Sequence, residues 1–174
     1  EMLEKKVTER TKDLLQKNEE LKISEERYYR MIGEVEDYAI FMLNKEGVIQ
    51  NWNKGGEKIK GYKEEEILGR HFSVFYTPED NKKGIPLKLL REAEINGKAS
   101  SEGWRVRKNG SRLWASILIT ALHDNQGNVI GFSKVTRDLT ERKIAEDKIK
   151  QNNADLEFQN RELEQFAYAA AHDL

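Results

Sequence analysis

Three histidines, His71, His123 and His172, are the only side chains whose ordinary pKa lies near neutrality, which makes them the first candidates for nucleophilic, acid–base or ligating chemistry. His172 stands directly before Asp173. An unprotonated imidazole nitrogen is a nucleophile, and an adjacent carboxylate can orient the ring and take up its proton. His71 sits in Gly69-Arg70-His71-Phe72, a setting in which a ring ligates iron or, more often, packs and bonds to backbone. His123 precedes Asp124-Asn125 and reads as an exposed turn residue. The sequence contains no Cys, which excludes disulfides, thiolate zinc sites, cysteine nucleophiles and flavin photochemistry through a cysteinyl adduct. No metal site is expected.

Two helical arms are expected to position these groups. Residues 1–30 carry eight basic and eight acidic side chains with neither Gly nor Pro, so nothing interrupts a long exposed helix. Alternating steps of four and three pick out Val7, Thr11, Leu14, Asn18, Leu21, Glu25, Tyr28 and Ile32, a heptad seam with apolar residues in every d slot. The tail repeats it, with Ile149, Leu156, Leu163 and Ala170 seven apart and Asn153, Asn160, Ala167 and Leu174 in the alternating slots. An Asn at an a position costs stability but pairs best with another Asn, so Asn18, Asn153 and Asn160 predict a parallel two-stranded homodimer. The alternative is a single solvated helix.

Between the arms the pattern changes, and 11 of the 12 Gly lie from Gly47 to Gly131. Tyr38 to Leu43 is an apolar run fit for a buried strand, Asn44 to Gly47 a turn, and Val48 to Trp52 a second strand. Short helical patterns follow at Glu57 to Lys60, Lys63 to Leu68 and Leu87 to Ile95, with Pro86 in a first turn and Asn96-Gly97 as a stop. Three more strands are expected, the first alternating Trp104 and Val106 with Arg105 and Arg107, then Leu113 to Leu122 after the Asn109-Gly110 turn, then Val129 to Thr136. That order predicts an α+β fold, a five-stranded antiparallel sheet with helices on one face. With 30 basic against 31 acidic residues, no broad basic face for nucleic acid is implied. The longest uncharged stretch, Leu113 to His123, falls short of the roughly 18 to 20 residues of a membrane span.

Six short segments carry a resemblance. Tyr38-Ala39-Ile40-Phe41, Asn51-Trp52-Asn53, Gly61-Tyr62, Glu65 to Arg70, Arg107-Lys108-Asn109-Gly110-Ser111 and Arg137-Asp138-Leu139-Thr140-Glu141-Arg142 resemble, in order, the signatures of PAS sensor domains over about residues 27–142. The last matches the Asp-Ile-Thr type ending that joins the final strand to an output helix, with Leu139 in the middle position. Asp138 and Thr140 are expected to bond to backbone or to Arg137 and Arg142, so that a shift of the sheet becomes a shift of the helix. Phe166 to Leu174 resembles the H-box of dimeric sensor histidine kinases, with Ala171 where a Ser or another small residue is usual. That resemblance implies His172 as phosphoacceptor and Asp173 as the carboxylate that orients it.

The resemblance also frames the ligand question. Phe41, Trp52, Asn53, Tyr62, His71, Phe72, Trp114 and Phe132 are the candidate cleft residues, although the aromatic set suits an ordinary core as well, and Trp104 and Trp114 suit contact with an arm. Haem sensors of the family usually supply a His from the helix before the third strand, and Asp80 to Ile95 has none, which argues against haem. No cofactor is expected in this chain. It reads as a piece of a longer protein divided into an arm over 1–31, a sensor domain over 32–140 and a second arm over 141–174. ATP and magnesium are expected in a separate ATP-binding domain beyond residue 174, and a response regulator receiver domain as the partner. A cytoplasmic location is expected, with a parent that a membrane segment elsewhere could anchor. The alternative is a ligand-binding or dimerisation module feeding another output, such as a cyclase.

Overall fold

The uninterrupted charged sequence of the first arm forms helix α1, Met2–Gly33, none of whose residues is buried. It lies in a computed structural model that describes residues 1–173, so the seam position Leu174 falls outside the described residues. After α1 come β1 (Tyr38–Leu43), α2 (Lys54–Lys60), α3 (Glu64–Ile67), a 3-10 turn (Phe72–Phe75), α4 (Pro78–Lys82), α5 (Ile85–Asn96), β2 (Lys98–Val106), β3 (Arg112–His123), β4 (Val129–Asp138) and α6 (Thr140–His172). The sheet is antiparallel in the order β1-β4-β3-β2. No described helix is long and apolar enough to cross a membrane.

The sheet has four strands where the alternation predicted five. Residues 48–52 begin a hairpin with β1, through Asn44 N–H to the Val48 carbonyl at 3.0 Å and Gln50 N–H to the Met42 carbonyl at 2.8 Å. Side chains then replace the ladder: Asn51 Oδ1 accepts from Met42 N–H at 2.7 Å and Asn53 Oδ1 from Ile40 N–H at 2.9 Å. Ile49 meanwhile turns its own N–H to the Arg70 carbonyl at 3.0 Å. An edge satisfied by two asparagine amides needs no further strand. The 3-10 turn and α4 were not foreseen; His71 and Thr77 cap them from their side chains.

Three turns share one construction. At residues 44–48, 107–111 and 124–128 the first residue's N–H bonds to the last carbonyl, and a glycine at φ near +80° (Gly47, Gly110, Gly127) closes the turn. The core lies on one sheet face, under α2, α5 and the 3-10 turn, and is built of Phe41, Leu43, Ile67, Phe72, Phe75 and the inward residues of β3. Each such buried side chain stabilises the fold by about 1.5–3 kcal/mol. Strand parity sends Leu113, Ala115, Ile117 and Ile119 inward and Trp114 outward.

Candidate functional site

The joint between β4 and α6 is where the sheet meets the second arm. Asp138 Oδ1 accepts from Thr140 N–H at 2.9 Å and from its hydroxyl at 2.5 Å, holding the first helical turn in place. The Thr140 hydroxyl oxygen in turn accepts from Trp114 N–H at 3.0 Å, and Leu139 N–H donates to the Trp114 carbonyl at 2.8 Å. The helix start is thereby tied to β3 as well as β4. The other carboxylate oxygen meets Arg107 Nη2 at 2.7 Å, not Arg137 or Arg142 as expected. Arg137 instead lies over the Tyr38 ring at 5.8 Å, and Arg142 pairs with Glu146 at 2.7 Å one turn along α6. The reason is direction: Arg107 follows the end of β2 and also donates to the Ile59 carbonyl, so it reaches Asp138 across the strand ends. Burial pushes the Asp138 carboxyl up, but hydrogen bonds from Thr140 and Arg107 outweigh it and hold the group below its ordinary range. A surface groove of about 740 Å³ opens beside this joint, between Asp37, Tyr38, Arg107 and Asp138.

Where α1 enters the domain, Asn53 forms the matching knot. Its Nδ2 donates to the Tyr38 and Val35 carbonyls at 2.9 and 3.0 Å, and its Oδ1 accepts from Gly56 N–H at 2.8 Å as well as from Ile40. All of its capacity goes to backbone, so Asn53 belongs to the scaffold and not to a cleft. Gly55 completes the knot: a Cβ there would fall 1.9 Å from the Tyr38 carbonyl oxygen.

Of the other candidate cleft residues, Phe41, Tyr62, Phe72 and Phe132 are buried together in the core, and Trp52 stacks on Phe75 at 5.8 Å with Nε1 bonded to the Tyr62 carbonyl at 2.8 Å. His71 caps the 3-10 turn, Nδ1 accepting from Ser73 N–H at 3.2 Å and lying 2.7 Å from the Ser73 hydroxyl. Trp114 lies on the opposite sheet face, edge-on to Trp104 at 5.3 Å and beneath Lys143 of α6 at 4.9 Å. The odd residues Leu113 to Ala121 of β3 face the core and the even ones the opposite side of the sheet, which removes Trp114 from the cleft. His123 ends β3 exposed.

The interior holds three cations that the sequence reading passed over. Lys60, Arg105 and Lys134 are 0%, 1% and 0% exposed. Lys134 Nζ lies 5.3–5.9 Å from the ring centres of Phe41, Phe72, Phe75 and Tyr76, Lys60 Nζ 4.7 Å from Phe75, and the Arg105 guanidinium 4.2 Å from Tyr76. Burial and the nearby Arg105 and Arg107 bring the Lys60 ammonium down to about 7; burial and the neighbouring cations push Lys134 well below its ordinary range. The signal was present as parity: Lys134 lies two residues from Phe132 and from Thr136, both inward, and Arg105 pairs with the buried Leu113.

At the far end of α6, His172 and Asp173 are exposed side by side, Nδ1 4.0 Å from Oδ1. Asn18, Asn153 and Asn160 are exposed on α1 and α6, as are Leu14, Leu21, Leu156 and Leu163 of the same seams.

Comparison with known proteins bears on the domain between the arms. A PAS domain family profile matches residues 37–141, more than half of the chain. The chain is 50% identical over 121 residues to two-component system protein A of Emericella nidulans, a match covering 70% of this chain and 18% of that protein. It is 26% identical over 141 residues to sporulation kinase C of Bacillus subtilis, covering 78% of this chain and 32% of the relative, so it spans a third or less of these curated relatives. Among solved structures, the PAS domain of a Colwellia psychrerythraea protein superposes with a TM-score of 0.62 at 24% identity, covering 67% of this chain and 97% of that one. Sheet, joint and profile agree, and the chain belongs to the PAS domain family.

Proposed function

We propose that this chain is the signal-input and dimerisation part of a two-component sensor histidine kinase. Its PAS domain biases the packing of a parallel coiled-coil homodimer, and that packing controls ATP-dependent phosphorylation of His172 and transfer onward to a response regulator receiver domain. The observation that carries the reading is the bonded run from β4 through Asp138 and Thr140 into α6, which ends on exposed His172. Two relatives whose names include a two-component protein and a kinase support it.

The 33 residues of α6 rise about 50 Å, so a small rotation at Thr140 reaches His172 as a change in which face meets the partner helix. The exposed leucines of both arms supply the seam, and Asn18, Asn153 and Asn160 set its register. At His172, Nδ1 faces Asp173 and Nε2 is left as the nucleophile. The nitrogen–phosphorus bond forms as the bond from the γ-phosphorus to ADP breaks, and the imidazole proton passes to the carboxylate. ATP and magnesium belong to the kinase domain of the parent protein.

The test is labelling of the full-length parent with γ-phosphate-labelled ATP. His172→Gln removes the label while leaving the dimer intact; labelling that survives the change contradicts the assignment.

A further inference from the structure

Lys60 closes α2 with its side chain sealed, and its Nζ makes no hydrogen bond to any described residue. The 3-10 turn presents the Phe75 ring, 4.7 Å from Nζ. From β2 and the residue after it, Arg105 and Arg107 oppose a proton on Lys60; from β4, Lys134 opposes one and the Asp138 carboxylate favours it. No Asp or Glu is buried among the described residues, and Asp80 of α4, partly open to solvent, lies 3.8 Å from Arg105. Arginine keeps its proton, so the lysines are the members of this row that can change charge. Ring faces return only part of the hydration that a sealed ammonium gives up. The end of α2 is also bonded to the outlet. The Ile59 carbonyl accepts from Arg107 Nη1, the Lys60 carbonyl accepts from Lys108 N–H at 2.9 Å, and Arg107 Nη2 meets Asp138 at 2.7 Å. The surface groove beside the joint is lined by Ile59, Arg107 and Asp138, which gives the flexible stem of Lys60 open space on the side of that carboxylate.

We propose that Lys60 is a proton-operated switch on the outlet joint: without a proton it stays sealed against Phe75, and with one it swings toward the groove and competes with Arg107 for the Asp138 carboxylate. One proton passes from water to Nζ, and no other bond is made or broken. The sealed position suits the neutral amine because rings surround it; the groove suits the ammonium because Asp138 and water lie there. Burial, with Arg105 and Arg107, brings the Lys60 ammonium down to about 7, so modest acidification charges it. Asp138 draws the proton to Lys60 rather than to Lys134, which burial, Lys60 and Arg105 push well below its ordinary range. The same carboxylate holds the Thr140 N–H and hydroxyl, so turning it toward Lys60 alters the first turn of α6. That the switch reaches phosphorylation, unlike the switch itself, rests on reading the domain as a kinase input.

The test is nuclear magnetic resonance of the 174-residue chain, isotope-labelled at lysine and at backbone nitrogen and titrated from about pH 5.5 to about 10. The Lys60 Cε signal is identified by its absence in Lys60→Met. It is expected to titrate at about 7, and the Thr140 amide signal to move with the same midpoint. Asp138, held below its ordinary range, stays ionised throughout. In Lys60→Met the Thr140 movement is lost, and in Asp138→Asn the Lys60 midpoint falls by about half a pH unit or more. Histidine side chains gain protons in the same range, so a chain with His71, His123 and His172 all replaced by Gln is titrated alongside and is expected to keep the Thr140 movement. A Lys60 midpoint at its ordinary 10.5, a midpoint that Asp138→Asn leaves unchanged, or a Thr140 amide that does not follow Lys60 overturns the proposal. So does a Thr140 movement that survives Lys60→Met or vanishes with the histidines. No phosphoryl transfer is read, so a negative result removes the switch and leaves His172 standing, and surviving label in His172→Gln does the reverse.

Discussion

The arms and the core of this chain make opposite placements. Along α1 and α6 the seam leucines lie in water and no residue is buried, while in the core Lys60, Arg105 and Lys134 are sealed among aromatic rings. Exposed leucines at heptad spacing suit a second helix, whereas the two sealed lysines meet ring faces and give up their protons more readily than lysines in water. Two small polar knots, Asn53 at the inlet and Asp138 at the outlet, help join regions of such different character.

The sharpest way to break the contrast is at the inlet. Asn53→Ala leaves the carbonyls of Tyr38 and Val35 and the N–H groups of Ile40 and Gly56 without their partner, and is expected to cost about 2–4 kcal/mol in urea unfolding. A loss confined to the helicity of α1, with the core midpoint unchanged, would show that the knot serves the arm alone.

A second prediction turns on pH and separates the core from the arms, whose lysines are exposed. Lys60 titrates at about 7 when folded and at its ordinary 10.5 when unfolded. Between those values the unfolded chain holds a proton that the folded chain lacks, so stability climbs as pH rises from about 7 and levels off above 10.5; below 7 both states are protonated and the contribution is flat. Lys134, displaced in the same direction, adds to the climb. The slope is on the order of 1 kcal/mol per pH unit per group, measured by urea unfolding at successive pH values. It is expected to flatten in Lys60→Met.

At the outlet the effect on stability is smaller and the effect on output larger. Asp138→Asn weakens a partly exposed bond to Arg107 and costs about 1 kcal/mol, yet it is expected to make phosphorylation of the full-length parent insensitive to changes in the PAS domain. The least effect belongs to Arg142, whose pairing with Glu146 lies on the open surface of α6. Arg142→Ala is expected to leave the urea midpoint unchanged, because exposed i,i+4 pairs are screened by water; a measurable drop would mean that this turn of α6 is covered.

The sheet was legible because period-two alternation and glycine turns are local signals: Leu113 to Leu122, Val129 to Thr136 and the turn glycines stand where the pattern places them. Residues 48–52 were misread as a full strand because a side-chain amide that takes the place of a ladder carbonyl leaves no mark on hydrophobic alternation; Asn51 and Asn53 do this here. The outlet was half legible. The Asp138–Thr140 bond is local and follows from residue type, whereas the Arg107 partner lies 31 residues away and only the strand order brings it close. The interior cations were missed for a different reason, since lysine in a strand is ordinarily read as a solvent marker and parity was not applied to Lys134.

In the function proposed above, the PAS domain sets the packing of a parallel coiled coil that presents His172. The absence of native Cys makes disulfide scanning clean: one Cys at a time is placed at each position from 149 to 163, and dimer formation is read under mild oxidation. Crosslinking peaks are expected at 149, 153, 156, 160 and 163, with a displaced set of peaks in Asp138→Asn. A flat profile, or one that Asp138→Asn leaves unchanged, would contradict it.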